Sequence, residues 1–331
     1  MKSMVQVVYV LIASPDDLFL QEIWASVYSL RLYEPNREVR ILCDIATSNY
    51  IKKYQSFVDL VTEIIEVEMP DEYNTKSRTR ELKTSVRLHI EGTFLFVDTD
   101  TIFAGDLSYI DLLSCDIAAV YEYNVPLSRS IFKASVYNTM MSTFNIDVSE
   151  LNCWYNSGVI FVSDSLKAYD FYRQWNGNWR FSNFQVGMSQ DEPAFMKTNI
   201  DMNFVIDQLP NEYNSQPCMN VRYLHKAHII HYLHVFFPNS QDYCPFFNKR
   251  INSLIKEKGY ISEEISEMIK NCKSQYADLS IVVGERTTRF LASPVAPIFE
   301  DVYLNGGVAS WLMLKFAKIL EKIHLFTHRK K

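Results

Sequence analysis

Glycine and proline are scarce in this sequence, 9 and 11 in 331 residues. With no low-complexity tract, that argues against a long disordered region. Positive charge is not in surplus: 33 Lys and Arg face 39 Asp and Glu, for a net charge of −6. General nucleic-acid binding needs a basic footprint and is excluded. An anionic ligand would require a local basic group or a bound cation. The six cysteines (43, 115, 153, 218, 244 and 272) lie far apart without a CxxC pair. This excludes a zinc framework and a dense disulfide scaffold, so reduced thiols are expected. No apolar run approaches the roughly 20 residues of a membrane-spanning helix. The N-terminal MKSMVQVVYVLIASPDD alternates and is β-branched, which favours a first core strand over a signal peptide. The expected compartment is the cytoplasm. No fixed-period repeat is present.

What is present is a full core: 48% hydrophobic and 22% charged residues, typical of a globular protein. Val5 to Ile12 reads as a buried strand. Ser14 is expected as a helix N-cap with Pro15 at the first helical position. Leu20, Ile23, Trp24, Val27 and Leu30 follow at helical spacing. A second strand, Val39 to Cys43, ends on Asp44; residues 47–58 read as helical, and Leu60 to Val67 as a third strand. This alternation implies a parallel sheet covered on both faces. Arg78 to Ile90 is the next expected helix, with Lys83 and Arg87 on one side. Strands are expected at Thr93 to Val97, Ile117 to Tyr121, Ser157 to Val162 and His228 to Leu233, with a helix from Ser165 to Trp175. Residues 122–150 read as irregular.

From about Asp242 the pattern turns helical. Leu312, Phe316, Ile319, Ile323 and Phe326 form one stripe, beside Lys315, Lys318, Lys322 and Arg329-Lys330-Lys331. Such a helix either packs on a core or lies on an anionic membrane surface.

The segment FLFVDTDTIFAGDL (94–107) ends an apolar strand on Asp98-Thr99-Asp100. An acidic turn is one reading. A phosphatase of the haloacid-dehalogenase type is another, but that pattern wants Gly then Thr after the second Asp, where this chain has Thr101 and Ile102. The third is a metal–diphosphate site: two carboxylates suit a hard divalent cation, and ligands gather at the carboxyl ends of parallel strands. Ala13-Ser14 and Asp44 occupy such ends too.

FVDTDTIFAGDL resembles the D-x-D segment of GT-A glycosyltransferases, in particular family 8, the retaining galactosyl- and glucosyltransferases. Asp106-Leu107 fits that pattern. So do RELKTSVRLHI, YNSGVIF (155–161), DEPAF (191–195) and IIHYLH (229–234), in order over residues 5–235. Departures are Glu192 where the family has Gln, Pro193 where it has Asp, and Tyr232-Leu233-His234 after the late histidine. The resemblance implies an α/β GT-A (Rossmann-like) fold with a mixed, mainly parallel sheet and a mostly helical C-terminal extension. It implies a catalytic domain at 1–240 and an extension at 241–331.

It further implies Mn²⁺ or Mg²⁺ held by Asp98, Asp100 and His231, with His228 as competitor. Mixed N/O ligation suits Mn²⁺ better than Ca²⁺. Lys83 would meet the diphosphate, with Arg80 and Arg87 as rivals. Ala13, Ser14, Asp98, Thr99, Asn156 and Ser157 would bind substrate, and Asp191 and Glu192 would be catalytic. The activity implied is transfer of a hexose from UDP-glucose or UDP-galactose to a saccharide or glycolipid hydroxyl, in cell-surface polysaccharide or lipopolysaccharide synthesis. Peripheral membrane contact would run through 311–331. A non-catalytic nucleotide-sugar- or glycan-binding module on the same fold, or a D-x-D phosphohydrolase, are the alternatives.

Overall fold

A computed structural model describes residues 4–130, 132–217, 220–233, 246–274 and 293–328. In chain order the elements are β1 (Gln6–Leu11), α1 (Phe19–Tyr33), β2 (Val39–Cys43), α2 (Ile45–Ile51), α3 (Gln55–Val58), β3 (Glu63–Glu66) and α4 (Thr75–Ser85). Then come β4 (Phe94–Val97), β5 (Thr101–Phe103), β6 (Ile117–Tyr121), α5 (Lys133–Phe144), β7 (Tyr155–Val162), α6 (Leu166–Phe181) and α7 (Glu192–Asp201). The last are β8 (Ile206–Gln208), β9 (Ile229–His231), α8 (Lys249–Lys258), α9 (Glu263–Lys270), α10 (Val295–Asn305) and α11 (Gly307–His328). The chain forms two compact units, Met1–Ala277 and Asp278–Lys331.

Seven strands form the main sheet in the order β3-β2-β1-β4-β7-β6-β8. β1 pairs in parallel with β2 and β4, and β2 with β3. β7 runs antiparallel to both β4 and β6, so the sheet is mixed and mainly parallel as expected. Side chains alternate across it. Val8, Val10 and Ile12 join Leu82 of α4, Val86 just after it, and Phe171 and Trp175 of α6 in one core. From the other face, the Tyr9 hydroxyl meets Ser26 of α1 at 2.8 Å. Asn74 starts α4 by accepting from the Ser77 amide, and Asp44 starts α2 through Thr47, as N-caps do.

Several boundaries differ from expectation. α1 begins at Phe19, because the Ser14 amide and hydroxyl both donate to Asp17 Oδ2, at 2.8 and 2.9 Å, and close a turn before the helix. Residues 47–58 are two short helices broken at Lys52–Tyr54. The segment read as irregular contains α5. The late histidine strand is only Ile229–His231, and it pairs with β5 outside the main sheet, Thr101 opposite His231. Cys43, Cys115, Cys153 and Cys272 are free thiols. Cys218, Cys244, His234 and the Arg329-Lys330-Lys331 tail lie outside the described residues.

The first part of the expected extension, α8 and α9, belongs to the first unit. Lys256 of α8 donates to the Pro15 and Asp17 carbonyls, and Tyr28 of α1 meets Ser266 of α9 at 2.9 Å.

Candidate active site

The site lies on the carboxyl edge of β1, β2, β4 and β6. Because β7 is antiparallel, its beginning rather than its end reaches that edge. Asn156, Ser157 and Gly158 therefore arrive beside Asp98, whose amide donates to the Gly158 carbonyl at 2.7 Å. Thr101 closes the turn after Asp98-Thr99-Asp100 by donating to the Asp98 carbonyl at 2.9 Å. Thr99 is half-buried within that turn. The β5–β9 pairing then carries His231 over the acidic pair.

Asp98, Asp100 and His231 each offer a ligand atom, and these atoms lie within 4.8 Å of one another. Two oxygens and one imidazole nitrogen fit a hard or borderline divalent cation. His231 Nε2 is 3.1 Å from Asp100 Oδ1, and Nδ1 donates to Asn214 Oδ1 at 3.2 Å. That second bond fixes the ring so that Nε2 faces the carboxylates, the usual arrangement around a ligating histidine. Burial disfavours a charged ring here, but Asp100 and then Asp98 outweigh it and hold the His231 pKa above its usual value. The competitor His228 points elsewhere: its Nδ1 meets the Asp106 carbonyl at 2.6 Å, and its ring stacks on Tyr213.

α4 turns two cations toward the same corner. Lys83, 3% exposed, reaches Asp98 Oδ2 at 3.0 Å and Asp191 Oδ2 at 3.1 Å. Arg80 pairs with Asp191 Oδ1 at 2.9 Å. Ser157 donates to Asp191 Oδ2 at 2.8 Å. Burial would raise the Asp191 pKa, but Arg80 and Lys83 outweigh it and hold the carboxyl far below the usual range. Burial likewise opposes charge on Lys83, and Asp191 and Asp98 reverse that. Arg87 is not part of the site: it turns away to Asp164, 2.7 Å, beneath the Tyr169 ring.

Acidic residues favour a helix N-terminus, and Asp191 and Glu192 stand at the start of α7. Asp191 sits at the N-cap, but its side chain makes no cap hydrogen bond because the α4 cations take it. Glu192, in the first turn, opens onto a cavity of about 270 Å³ lined by Glu122, Tyr123, Phe132, Trp154 and Pro193 among others. Burial first, and Asp191 next, raise the Glu192 pKa. Ala13 is tied at both backbone groups to Thr47 Oγ1, 3.0 and 3.2 Å, at the end of β1. Ser14 follows it in the turn held by Asp17. Asp44, at the end of β2, is held by Arg78 at 2.9 Å.

Three site residues escaped the sequence reading. Glu122 follows the apolar strand IAAVY, as Asp98 follows FLFV, and that parallel was the available signal. Asn214 and Gln216 lie in NEYNSQ, where nothing local marks them.

No protein-family model matches the sequence, and no curated protein matches it either. Solved structures do resemble the fold. The apo structure of the bifunctional glycosyltransferase WbbM matches over 70% of this chain and 46% of its own, at 15% identity and a TM-score of 0.50. GlyE, a glycosyltransferase of Streptococcus pneumoniae TIGR4, matches over 81% and 63%, at 15% and 0.48. The galactosyltransferase LgtC, solved with donor and acceptor sugar analogues, matches over 80% and 99%, at 12% and 0.49. The chain thus spans less than half of the WbbM structure, which shares its fold. The mixed, mainly parallel sheet flanked by helices matches the α/β GT-A fold expected from the sequence.

Proposed function

We propose that this chain is a metal-dependent retaining glycosyltransferase that moves a hexose from UDP-glucose or UDP-galactose to a saccharide or glycolipid hydroxyl. The observation that carries this reading is the convergence of Asp98, Asp100 and His231 beside Lys83 on the carboxyl edge of the sheet. Those three residues would hold Mn²⁺ or Mg²⁺, which would supply positive charge to offset a diphosphate. Lys83 adds a fixed cation within reach of the same oxygens, and Arg80 keeps Asp191 ionised beside it. Ala13, Ser14 and Thr99 border the nucleotide, and Asn156 and Ser157 the sugar.

Transfer breaks the bond between the anomeric carbon and the diphosphate oxygen and forms one to the acceptor oxygen, whose proton leaves with UDP or solvent. Same-face attack gives retention. Glu192, the carboxyl open to the cavity, offsets positive charge developing on the sugar; Asp191, committed to two cations, positions Ser157 and Lys83. A glycosyl adduct trapped on Glu192 would replace same-face attack by a two-step route.

The test is incubation with Mn²⁺ and a panel of nucleotide sugars, reading UDP release. Release with a hexose donor supports the reading, and UDP binding without turnover would make the chain a binding module. Asp100→Ala should abolish turnover and metal-dependent UDP affinity while the folded circular dichroism is kept. Activity surviving in that variant would refute the metal assignment.

We place synthesis of a cell-surface polysaccharide or lipopolysaccharide as the setting, at the inner face of a membrane. Residues 1–240 carry the chemistry and 241–331 the extension. Among the described residues no helix is long and apolar enough to cross a membrane. α11 nevertheless exposes Trp311, Leu312, Phe316, Ile319 and Leu320 beside Lys315, Lys318 and Lys322, which suits peripheral contact with an anionic surface.

A further inference from the structure

Glu122 is placed by four features of the fold. First, β6 carries a register irregularity between Ala119 and Tyr121, and such bulges re-aim side chains beside functional sites. Second, the next two residues, Tyr123 and Asn124, both sit in the left-handed region, at φ 56° and 58°. Non-glycine residues persist there only when their surroundings over-determine them. Third, buried amides do so here. Gln216 accepts from the Tyr123 amide at 2.6 Å and donates to the Tyr121 carbonyl at 3.1 Å, while its own amide donates to Asn124 Oδ1 at 2.8 Å. Asn124 Nδ2 donates to the Asn214 carbonyl at 2.8 Å.

Fourth, the carboxylate is tied into the metal corner by a chain of amides. Asn156 Nδ2 donates to Glu122 Oε2 at 2.7 Å, and Asn156 Oδ1 accepts from Asn214 Nδ2 at 2.8 Å and from the Gly158 amide at 2.9 Å. Asn214 in turn holds His231. Among the described residues Glu122 Oε1 makes no hydrogen bond, and Glu122 lines the cavity opposite α5.

A half-buried carboxyl with one oxygen free at a cavity wall is a ready acceptor for a hydroxyl donor. The cavity supplies the place for that partner. Its volume, about 270 Å³, is at the lower edge of small-molecule sites, roughly 300–1,000 Å³. Trp154, Tyr123 and Phe132 give it apolar faces; Ser130, Ser135, Thr139 and Gln190 give it neutral polar groups. Its two acidic groups are Glu122 and Glu192. Lys83 and Arg80, the neighbouring cations, are already paired with Asp98 and Asp191.

We propose that Glu122 is a specificity-determining residue, binding a hydroxyl of one neutral hexose ring seated in this cavity between α5, Trp154 and Glu192. The assignment deepens the glycosyl-transfer reading and rests on it for the identity of the ring, which belongs either to the donor or to the acceptor. A hydroxyl can donate to the unused Oε1. No cavity-lining side chain is cationic and the neighbouring Lys83 and Arg80 are already paired, so nothing meets a sugar carboxylate and a neutral ring is favoured over a uronate.

The experiment uses the full chain as wild type, Glu122→Ala and Thr139→Trp; the last fills the cavity from α5 without touching Glu122 or its supports. Calorimetry with Mn²⁺ compares UDP, UDP-glucose and UDP-galactose. Ligand-observed saturation transfer, with UDP and Mn²⁺ present, probes free glucose, galactose and glucuronate. Both variants should bind UDP within about twofold of wild type, and lose roughly tenfold or more of the affinity owed to the ring.

If the ring is the donor's, the advantage of a UDP-hexose over UDP disappears in both variants. If it is the acceptor's, UDP-hexose binding is unchanged and the free-hexose signal is lost. The proposal is overturned if both variants match wild type in both arms, if no hexose, free or UDP-linked, registers with wild type, or if glucuronate binds as well as glucose. Failure of wild type to bind UDP would instead refute the nucleotide-sugar reading, while the free-hexose arm would still decide the role of Glu122.

Discussion

The absence of a side chain at Gly158 lets Asp98 and His231 share one corner. A Cβ there would stand 2.2 Å from His231 Cε1 and 2.8 Å from Asp98 Oδ2, closer than real contacts allow. Both contacted groups are held, Asp98 Oδ2 by Lys83 at 3.0 Å and the His231 ring by Asn214 at 3.2 Å. Gly158→Ala should cost about 1–3 kcal/mol of stability by overpacking, read by denaturant unfolding. It should also weaken metal-dependent UDP binding by roughly 10–100-fold, the range seen when a ligand's supporting shell is disturbed.

Glu122 gives a second residue-scale prediction. Burial first, and Glu192 next, push its carboxyl up to about 8, against the lowering pull of Asn156, His231 and Lys83. A raised acid binds its proton more tightly when folded, so stability falls as pH rises from about 4.5 toward 8. Glu122→Gln removes this slope. Thermal melts should place the variant progressively above wild type across that window, and a constant gap would refute the shifted pKa.

Among the elements, the α4–β7–α7 junction decides the electrostatics. Asp191 at the start of α7 balances Lys83 and Arg80 of α4 and receives Ser157 of β7. Removing its charge leaves Arg80 without its anion and Lys83 with Asp98 alone, and breaking such buried pairs costs about 3–5 kcal/mol. Asp191→Asn should show that loss in urea unfolding at neutral pH. In wild type the depressed carboxyl pKa contributes stability above the unfolded-state value, and this contribution is lost as pH falls into the acid range. The variant's deficit should therefore shrink in acid.

α5 shows the opposite lesson. Its sequence, KASVYNTMMSTF, mixes β-branched and hydroxyl side chains with no capping residue at Phe132. Intrinsic propensity gives little helix signal there, and the helix is held by packing on α7 and the core, with Met140 buried and Val136, Tyr137 and Phe144 against it.

At the scale of the whole molecule, the unit at Asp278–Lys331 is distinct from the one that bears the site. α11 displays exposed apolar side chains with lysines at 315, 318 and 322, and Lys315 lies over the Trp311 ring at 5.5 Å. Surface lysines add about 1 kcal/mol each on an anionic bilayer at low salt. Full-length protein should co-sediment with anionic vesicles and release at high salt. A chain ending at residue 305 should stay in the supernatant yet bind UDP with Mn²⁺ as the full chain does. Equal sedimentation of both would refute the membrane reading.

The sequence by itself located β1 to β4, β6, β7 and β9, though not β5 or β8, and pointed to a class of chemistry. An apolar run ending on Asp98-Thr99-Asp100 and the alternation of periods 2 and 3.6 are local properties, readable because side-chain direction follows backbone geometry. It also grouped His231 with Asp98 and Asp100, and named Asp191 without its cation partners. Only the tertiary structure decided that His231 rather than His228 meets the acids, because β9 pairs with β5 in one register. Only it turned Lys83 and Arg80 inward and Arg87 away, and joined Glu122, Asn156 and Asn214 from three separate segments. Such contacts depend on strand order and crossover, and a residue's own neighbours in the chain carry no trace of them.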